Sequence, residues 1–429
     1  MRKTLHALCS IIILTFISCS SDNGENSESE SQKKVLNISD AKSLVVIERS
    51  TTNKSLANET NLFKVLSDGT YVPLNFTNED GSGATAPIVS TVQNLNSAYI
   101  LLSGVFNISD KKYTSILVRK SDGAIYDASS INFSFGSRKL GEILPKNDSE
   151  GNIYYYKGYN SIGKLSLNNP DDINVLDYLP SGQSAMAFEV DSKGNCMYQY
   201  DISNGNDKYG IRIRKANGGI YEVKVEGKYN REFWLGSNGN FYFITYTFDN
   251  GYKPQINKIN IDGDNISTTM VWSVKGNAPY ADVGEMFRTS NQGSYLIKKE
   301  KSIVFIDTYY NWGVMNWEFF EDDNSIKPIN LPHIEQGAKI VTSKENYYIA
   351  TKTELYKVNL NTHEYTKLLN SGEYEVYTLN VDNNDTVQFS ALRLKDGKKI
   401  FAEISKEGEL KNVNEEINKK AVSLERIDK

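Results

Sequence analysis

From about residue 36 onward, short apolar runs are cut at regular intervals by tight polar turns. The turns centre on Asp68-Gly69, Asp122-Gly123, Asn168-Asn169, Asn217-Gly218, Asp262-Gly263, Asn311, Asn361 and Glu407-Gly408. They recur at steps of roughly 45 to 54 residues, and a strand-built unit of that period predicts a β-propeller. Each period reads as two hairpins. In the first, a turn ending near Gly-Asn leads into a strongly apolar strand, as in DSEGNIYYYKG (148–158), DSKGNCMYQYD (191–201) and GSNGNFYFITY (236–246). Weaker copies are AKSLVVIERS (41–50), NLNSAYILLSG (94–104), SNQGSYLIKK (290–299), TSKENYYIATK (342–352) and DNNDTVQFSAL (382–392). Gly serves these turns because they demand positive φ, and Asn and Asp tolerate the same region while bonding their own backbone. Phe241, Tyr242, Phe243 and Ile244 are apolar on both faces, which implies a strand buried from both sides.

The second hairpin alternates. In IRIRKANGGIYEVKV (211–225), Ile211 and Ile213 face one way and Arg212 and Arg214 the other, the pattern of strands with one solvated face. The blades are therefore expected at 36–76, 86–130, 131–178, 183–226, 230–275, 281–330, 337–370 and 374–415, giving an all-β, eight-bladed propeller over 36–415. Seven blades is the alternative, with 36–76 supplying outer strands that close the ring. A pair of β-sandwiches is disfavoured by the even spacing and by the absence of a Pro/Ser-rich break after residue 35. The one helical candidate is the charged tail around 412–429, with Ile417, Val422 and Leu424, and residues 416–429 are expected to lie outside the ring.

The front of the chain is of another kind. Arg2 and Lys3 precede a short apolar stretch from Leu8 to Ile17, the make-up of a secretory signal over 1–18. Phe16-Ile17-Ser18-Cys19 resembles the lipobox of bacterial lipoproteins, with Phe16 where Leu is usual; the resemblance implies that Cys19 is lipid-modified and anchors the chain to a membrane. SSDNGENSESESQKK (20–34) has no apolar residue and is expected to be a disordered tether within 19–35. A Cys-Ser-Ser-Asp start followed by acidic residues also resembles the export signal of surface-exposed lipoproteins in Bacteroidota.

Charge and chemistry narrow the function. The formal net charge of −5 becomes two more negative once Arg2 and Lys3 leave with the leader, and no basic tract remains, which argues against nucleic acid. Without the leader the cysteines are Cys19 and Cys196; with Cys19 acylated, no disulfide within one chain is available. His333 and His363 fall in different expected blades, so no Ser-His-Asp, HExxH or clustered Cys/His pattern can be assembled. Asp262-Gly263-Asp264 and Asp382-Asn383-Asn384-Asp385 gather oxygen ligands but lack the spacing and closing Glu of a calcium loop, so no metal is expected. No glycine-rich phosphate loop is present, and no cofactor is expected.

The segment YYNWGVMNWEFFEDD (309–323) concentrates aromatic residues. Tyr309, Tyr310, Trp312 and Trp317 are candidates for stacking on a sugar or anchoring a protein partner. Against this, Trp317 and Phe319 share a face at period two, as core residues would. The chain as a whole looks like a β-propeller lipoprotein of the Bacteroidota envelope; the WD dipeptide is absent, and no motif matches a named propeller subfamily. That resemblance implies an outer-membrane, lipid-anchored binding or scaffold propeller with a protein or glycan partner. The alternative is a carbohydrate-active hydrolase or lyase using Asp or Glu at the channel, which rests on analogy of fold.

Overall fold

The computed structural model describes residues 34–48, 59–107, 112–129, 146–156, 161–166, 173–178, 185–201, 209–223, 233–247, 253–273, 294–307, 316–334, 337–382 and 384–427. These form eight four-stranded antiparallel sheets and one two-stranded sheet, with no helix among the described residues. The eight sheets are the blades of a propeller. Blade 1 spans 43–73 together with 421–426; blades 2 to 8 span 91–127, 146–178, 185–223, 233–273, 294–329, 339–369 and 374–414. Within blades 2 to 8 the strands pair in chain order, with the first strand innermost. Polar side chains link inner strands of neighbouring blades: Asn94 Nδ2 donates to Arg426 O (3.2 Å), Asn147 Nδ2 to Leu95 O (2.7 Å) and Asn380 Nδ2 to Leu424 O (3.4 Å).

Blade 1 is built differently. Its innermost strand is Ala421–Arg426, which pairs antiparallel with Ser43–Ile47. The helical reading of the tail is thus corrected. In AVSLER, Ala421 and Leu424 are buried and Val422 is exposed, and the open edge of Ser43–Ile47 supplies the backbone partners.

Eight apolar clusters hold the ring, one in each gap between blades. Phe241 and Phe243 pack toward blade 4 with Met197, Ile211 and Ile213. Tyr242 and Ile244, pointing the other way, pack toward blade 6 with Ile303, Phe305 and Phe319. This is the two-sided burial read from the apolar run. The gap between blades 8 and 1 is closed by Phe401 against Val45, Ile47, Val65, Ala421 and Leu424.

The turns between first and second strands of blades 3, 4 and 8 share one construction. Asp148 Oδ1 accepts from the amides of Glu150 (3.0 Å) and Asn152 (3.0 Å), Asp191 Oδ1 from Lys193 (2.9 Å) and Asn195 (2.8 Å), and Asp382 Oδ1 from Asn384 (2.9 Å) and Thr386 (2.7 Å). Of the two Asp-rich loops considered for calcium, the one at 382–385 thus has Asp382 Oδ1 bonded to its own backbone. Blade 5 has Gly236 at this position, and Glu321 of blade 6 fills in, accepting from the amides of Ser237 (2.9 Å) and Asn238 (3.1 Å).

The sixth period is out of register with the sequence reading. Its turn between third and fourth strands is Glu321–Asn324, with Asn324 at φ 55°, whereas Asn311 falls between the second and third strands, outside the described residues. SYLIK of the 290–299 copy is likewise the first strand of blade 6, not the second.

The strand Lys34–Leu36 pairs with Phe76–Asn78 and sits against the turn of blade 2, where Leu36 N donates to Gly123 O (2.9 Å). Gly123 has φ 73°, and a Cβ there would lie 2.1 Å from Leu36 O. Gly239, with φ 77°, has nothing within 4 Å of the corresponding point. Alanine at Gly239 should therefore cost only the left-handed backbone penalty, about 1 kcal/mol. Alanine at Gly123 should cost clearly more, about 2 to 3 kcal/mol, with faster protease cleavage around 34–40. Equal melting curves for the two variants would rule out this docking.

Candidate functional site

The antiparallel topology gives the propeller two unlike faces. One carries the turns between first and second and between third and fourth strands, all of them short. The other carries the remaining connections, including the long stretches 48–61, 128–145, 224–232 and 274–293. The connection 308–315, with Tyr309, Tyr310 and Trp312, joins Ser302–Asp307 to Asn316–Phe320 and so belongs to this second set. Those three residues lie outside the described residues, as does Cys19.

Trp317 is described, and its placement corrects its candidacy as a binding residue. It is 1% exposed and stacks on Phe305 with ring centroids 3.5 Å apart, inside the cluster between blades 5 and 6. Its alternation with Phe319 was the signal of a core strand. Cys196 is fully buried, and burial pushes its thiol up to about 12, which leaves it protonated and unreactive at neutral pH. Asp264 of the other Asp-rich turn accepts from Lys215 Nζ (2.9 Å) and Tyr221 OH (3.2 Å), tying the outer turns of blades 4 and 5 together.

Two polar clusters escape sequence reading. The first lies in the gap between blades 6 and 7. Glu318 on the third strand of blade 6 accepts from Lys299 Nζ (2.6 Å), from the Ser302 hydroxyl and from His363 Nε2 (2.9 Å). Burial raises the Glu318 carboxyl, but the bonds from His363, Lys299 and Ser302 together outweigh it and hold the group at about 2. An ionised carboxylate only accepts, so His363 Nε2 carries a proton; in the neutral ring Nδ1 then accepts from Tyr347 OH (3.2 Å). Both ring nitrogens are therefore used, and Ser302 bonds the carboxylate rather than the imidazole. The group is not a nucleophile-activating triad. His363 lines an open cleft of ≈ 560 Å³ with Asn330, Thr362, Glu364 and Tyr365.

One signal could have revealed His363. Its φ is 59°, in the turn LNTHEY, at the place where the equivalent turns of blades 1, 2, 4 and 8 carry Gly69, Gly123, Gly218 and Gly408. A side chain at a glycine position marks a role beyond turning the chain.

The second cluster is at the channel, where the first strands end on the short-turn face. Glu189 of blade 4 accepts from Lys146 Nζ of blade 3 (3.0 Å) and from Lys298 Nζ of blade 6 (3.5 Å). Among the described residues, no group of three or more His, Cys, Asp or Glu is arranged to hold a metal ion.

No family model and no curated protein matches this chain. The fold is shared with solved structures at low identity. Dihydro-heme d1 dehydrogenase NirN aligns over 90% of this chain and 75% of its own, at 9% identity and a TM-score of 0.50. A Mycobacterium tuberculosis puromycin-hydrolyzing peptidase aligns over 76% of this chain at 12% identity and a TM-score of 0.44, and dipeptidyl peptidase 4 of Porphyromonas gingivalis over 75% at 10% and 0.46. The chain spans about half the length of each of these two, 52%. At such identities the likeness concerns the fold alone.

Proposed function

We propose that this chain is a lipid-anchored lipoprotein of the bacterial envelope whose propeller serves as a binding scaffold, engaging a protein or glycan through the face that carries the long connections. The observation behind this reading is the asymmetry of the two faces. One is a set of short turns stitched to themselves and to their neighbours, as where Ser149 Oγ donates to Ser192 O (2.6 Å) and Asn346 Nδ2 to Asp385 Oδ2 (2.8 Å). The other collects the long connections and the aromatic residues Tyr309, Tyr310 and Trp312. Long connections on a rigid scaffold are where binding residues concentrate. The Cys19 lipobox supports the membrane address, at the outer membrane.

Fractionation tests the anchor and affinity capture tests the face. Cys19→Ala should move the chain from membrane to soluble envelope fractions. The wild-type chain, captured from detergent-solubilised native membranes, should bring a stoichiometric protein or a bound glycan. Tyr310→Ala with Trp312→Ala should lose at least tenfold of it. Full recovery by the double variant would overturn the binding face, and release of sugars from an envelope polysaccharide panel would favour a carbohydrate-active enzyme instead.

A further inference from the structure

We propose that the central channel ends, on the short-turn face, in an anion-binding floor formed by Lys146, Glu189 and Lys298, fitted to a carboxylate or phosphate group. The three residues stand at or next to the ends of the first strands Lys146–Asn147, Ala185–Val190 and Ser294–Lys298. These belong to blades 3, 4 and 6, which are not consecutive. Blade 6 is a quarter-turn from blade 4 around an eight-fold ring, so Lys298 and Glu189 meet by reaching across the channel in front of blade 5. At blade 5 the first strand, Phe233–Leu235, stops at Gly236, and the place a side chain would take there is filled by Glu321 and Tyr242.

The charge count at this place is what calls for an anion. Among the described residues, two ammonium groups share one carboxylate, each through a single contact that leaves donors for a further acceptor. The Glu189 side chain is 8% exposed, whereas those of Lys146 and Lys298 are 30% and 43% exposed, so the lysines are the groups an incoming ligand meets. Glu321, the other carboxylate acting on Lys298, is already committed to the amides of Ser237 and Asn238 and to the Ser237 hydroxyl. Burial lowers the pKa of Lys298, Glu189 opposes that and Lys146 adds to it. A second anion between the two ammonium groups would act in the same direction as Glu189. Lysines on flexible stems suit such a group as point charges.

This site stands apart from the binding face proposed above, and neither depends on the other. A free phosphate and the acidic end of a longer chain present the same chemistry here, so both serve as probes. The full chain is titrated calorimetrically with inorganic phosphate, with tri-galacturonate and with neutral maltotriose. Phosphate or tri-galacturonate should bind, with affinity falling as salt rises, and maltotriose should not compete. Tighter binding of phosphate identifies a small free anion, and tighter binding of tri-galacturonate identifies an acidic glycan. Lys298→Met should weaken anion binding at least tenfold, Lys298→Arg should keep it within about threefold, and Glu189→Gln should tighten it. Melting curves establish that each variant is folded; should Lys298→Met not fold, Glu189→Gln and Lys146→Met carry the test. Failure of both anions to bind the wild type, or anion affinity unchanged in Lys298→Met and Glu189→Gln alike, would reduce the cluster to a structural ion triad and overturn the proposal.

Discussion

A chain ending at Lys420 should lose more stability than any single substitution, because residues 421–427 complete blade 1 and hold it to both neighbours. Ala421 and Leu424 belong to the cluster between blades 8 and 1, and Ile427 to the cluster between blades 1 and 2. Ser423 Oγ bonds both the amide (3.2 Å) and the carbonyl (3.1 Å) of Val92 in blade 2, and Leu424 O accepts from Asn380 of blade 8. Burial of Leu424 and Ile427 is worth about 1.5 to 3 kcal/mol each. Truncation also strips the backbone partners from Ser43–Ile47, a strand that is buried along its whole length. Unpaired buried backbone groups add about 1 to 3 kcal/mol apiece. Against a total of about 5 to 15 kcal/mol for an ordinary domain, the sum removes most of the margin.

The truncated chain should therefore accumulate in inclusion bodies or self-associate through the bare edge. A synthetic peptide of residues 416–429 added during refolding should restore a soluble monomer, and a scrambled peptide should not. The measurements are analytical ultracentrifugation and hydrogen exchange at residues 43–47. A truncated chain that melts with the full-length protein would show that the closing strand does not carry the ring.

How far this architecture could be read from the chain depends on which features are local. The turns between third and fourth strands were legible where a glycine takes positive φ, as at Gly69 (84°), Gly123 (73°), Gly218 (100°) and Gly408 (90°). Blade 6 escaped because its turn uses Asn324 instead, while the sequence YYNWG offers a better-looking turn one strand too early. The apolar runs were legible because both faces of each second strand are buried, a property every residue reports independently. The closing strand was not, since AVSLER becomes a strand only beside Ser43–Ile47, at the other end of the chain. The charged clusters were hidden for the same reason. Lys146 and Lys298 stand 43 and 109 residues from Glu189, and no spacing rule connects positions that meet only when the ring closes.

The second large effect should come from Glu318→Gln, which removes the charge that three groups share in the gap between blades 6 and 7. Lys299 and His363 are each only 12% exposed at the side chain, so the substitution leaves two buried donors without their carboxylate. With the carboxyl held at about 2 in the folded chain and near 4.5 when unfolded, its ionised form contributes about 3 kcal/mol at neutral pH. The sign follows from the depressed folded value. The contribution is fully present above about pH 4.5 and is lost as pH falls from there through about 2. Urea unfolding should therefore separate wild type from Glu318→Gln by about 2 to 3 kcal/mol at pH 7, with the gap narrowing steadily below pH 4.5. A gap that stays constant down to pH 3 would place the effect in packing rather than in charge. His363→Gly separates the two opposing terms at the same seam. Glycine relieves about 1 kcal/mol of backbone cost at φ 59° but removes a charge-assisted bond to Glu318 worth about 1.5 to 3 kcal/mol. The bond should win, leaving His363→Gly less stable than the wild type; a more stable variant would mean that His363 does not clasp blade 7 to blade 6.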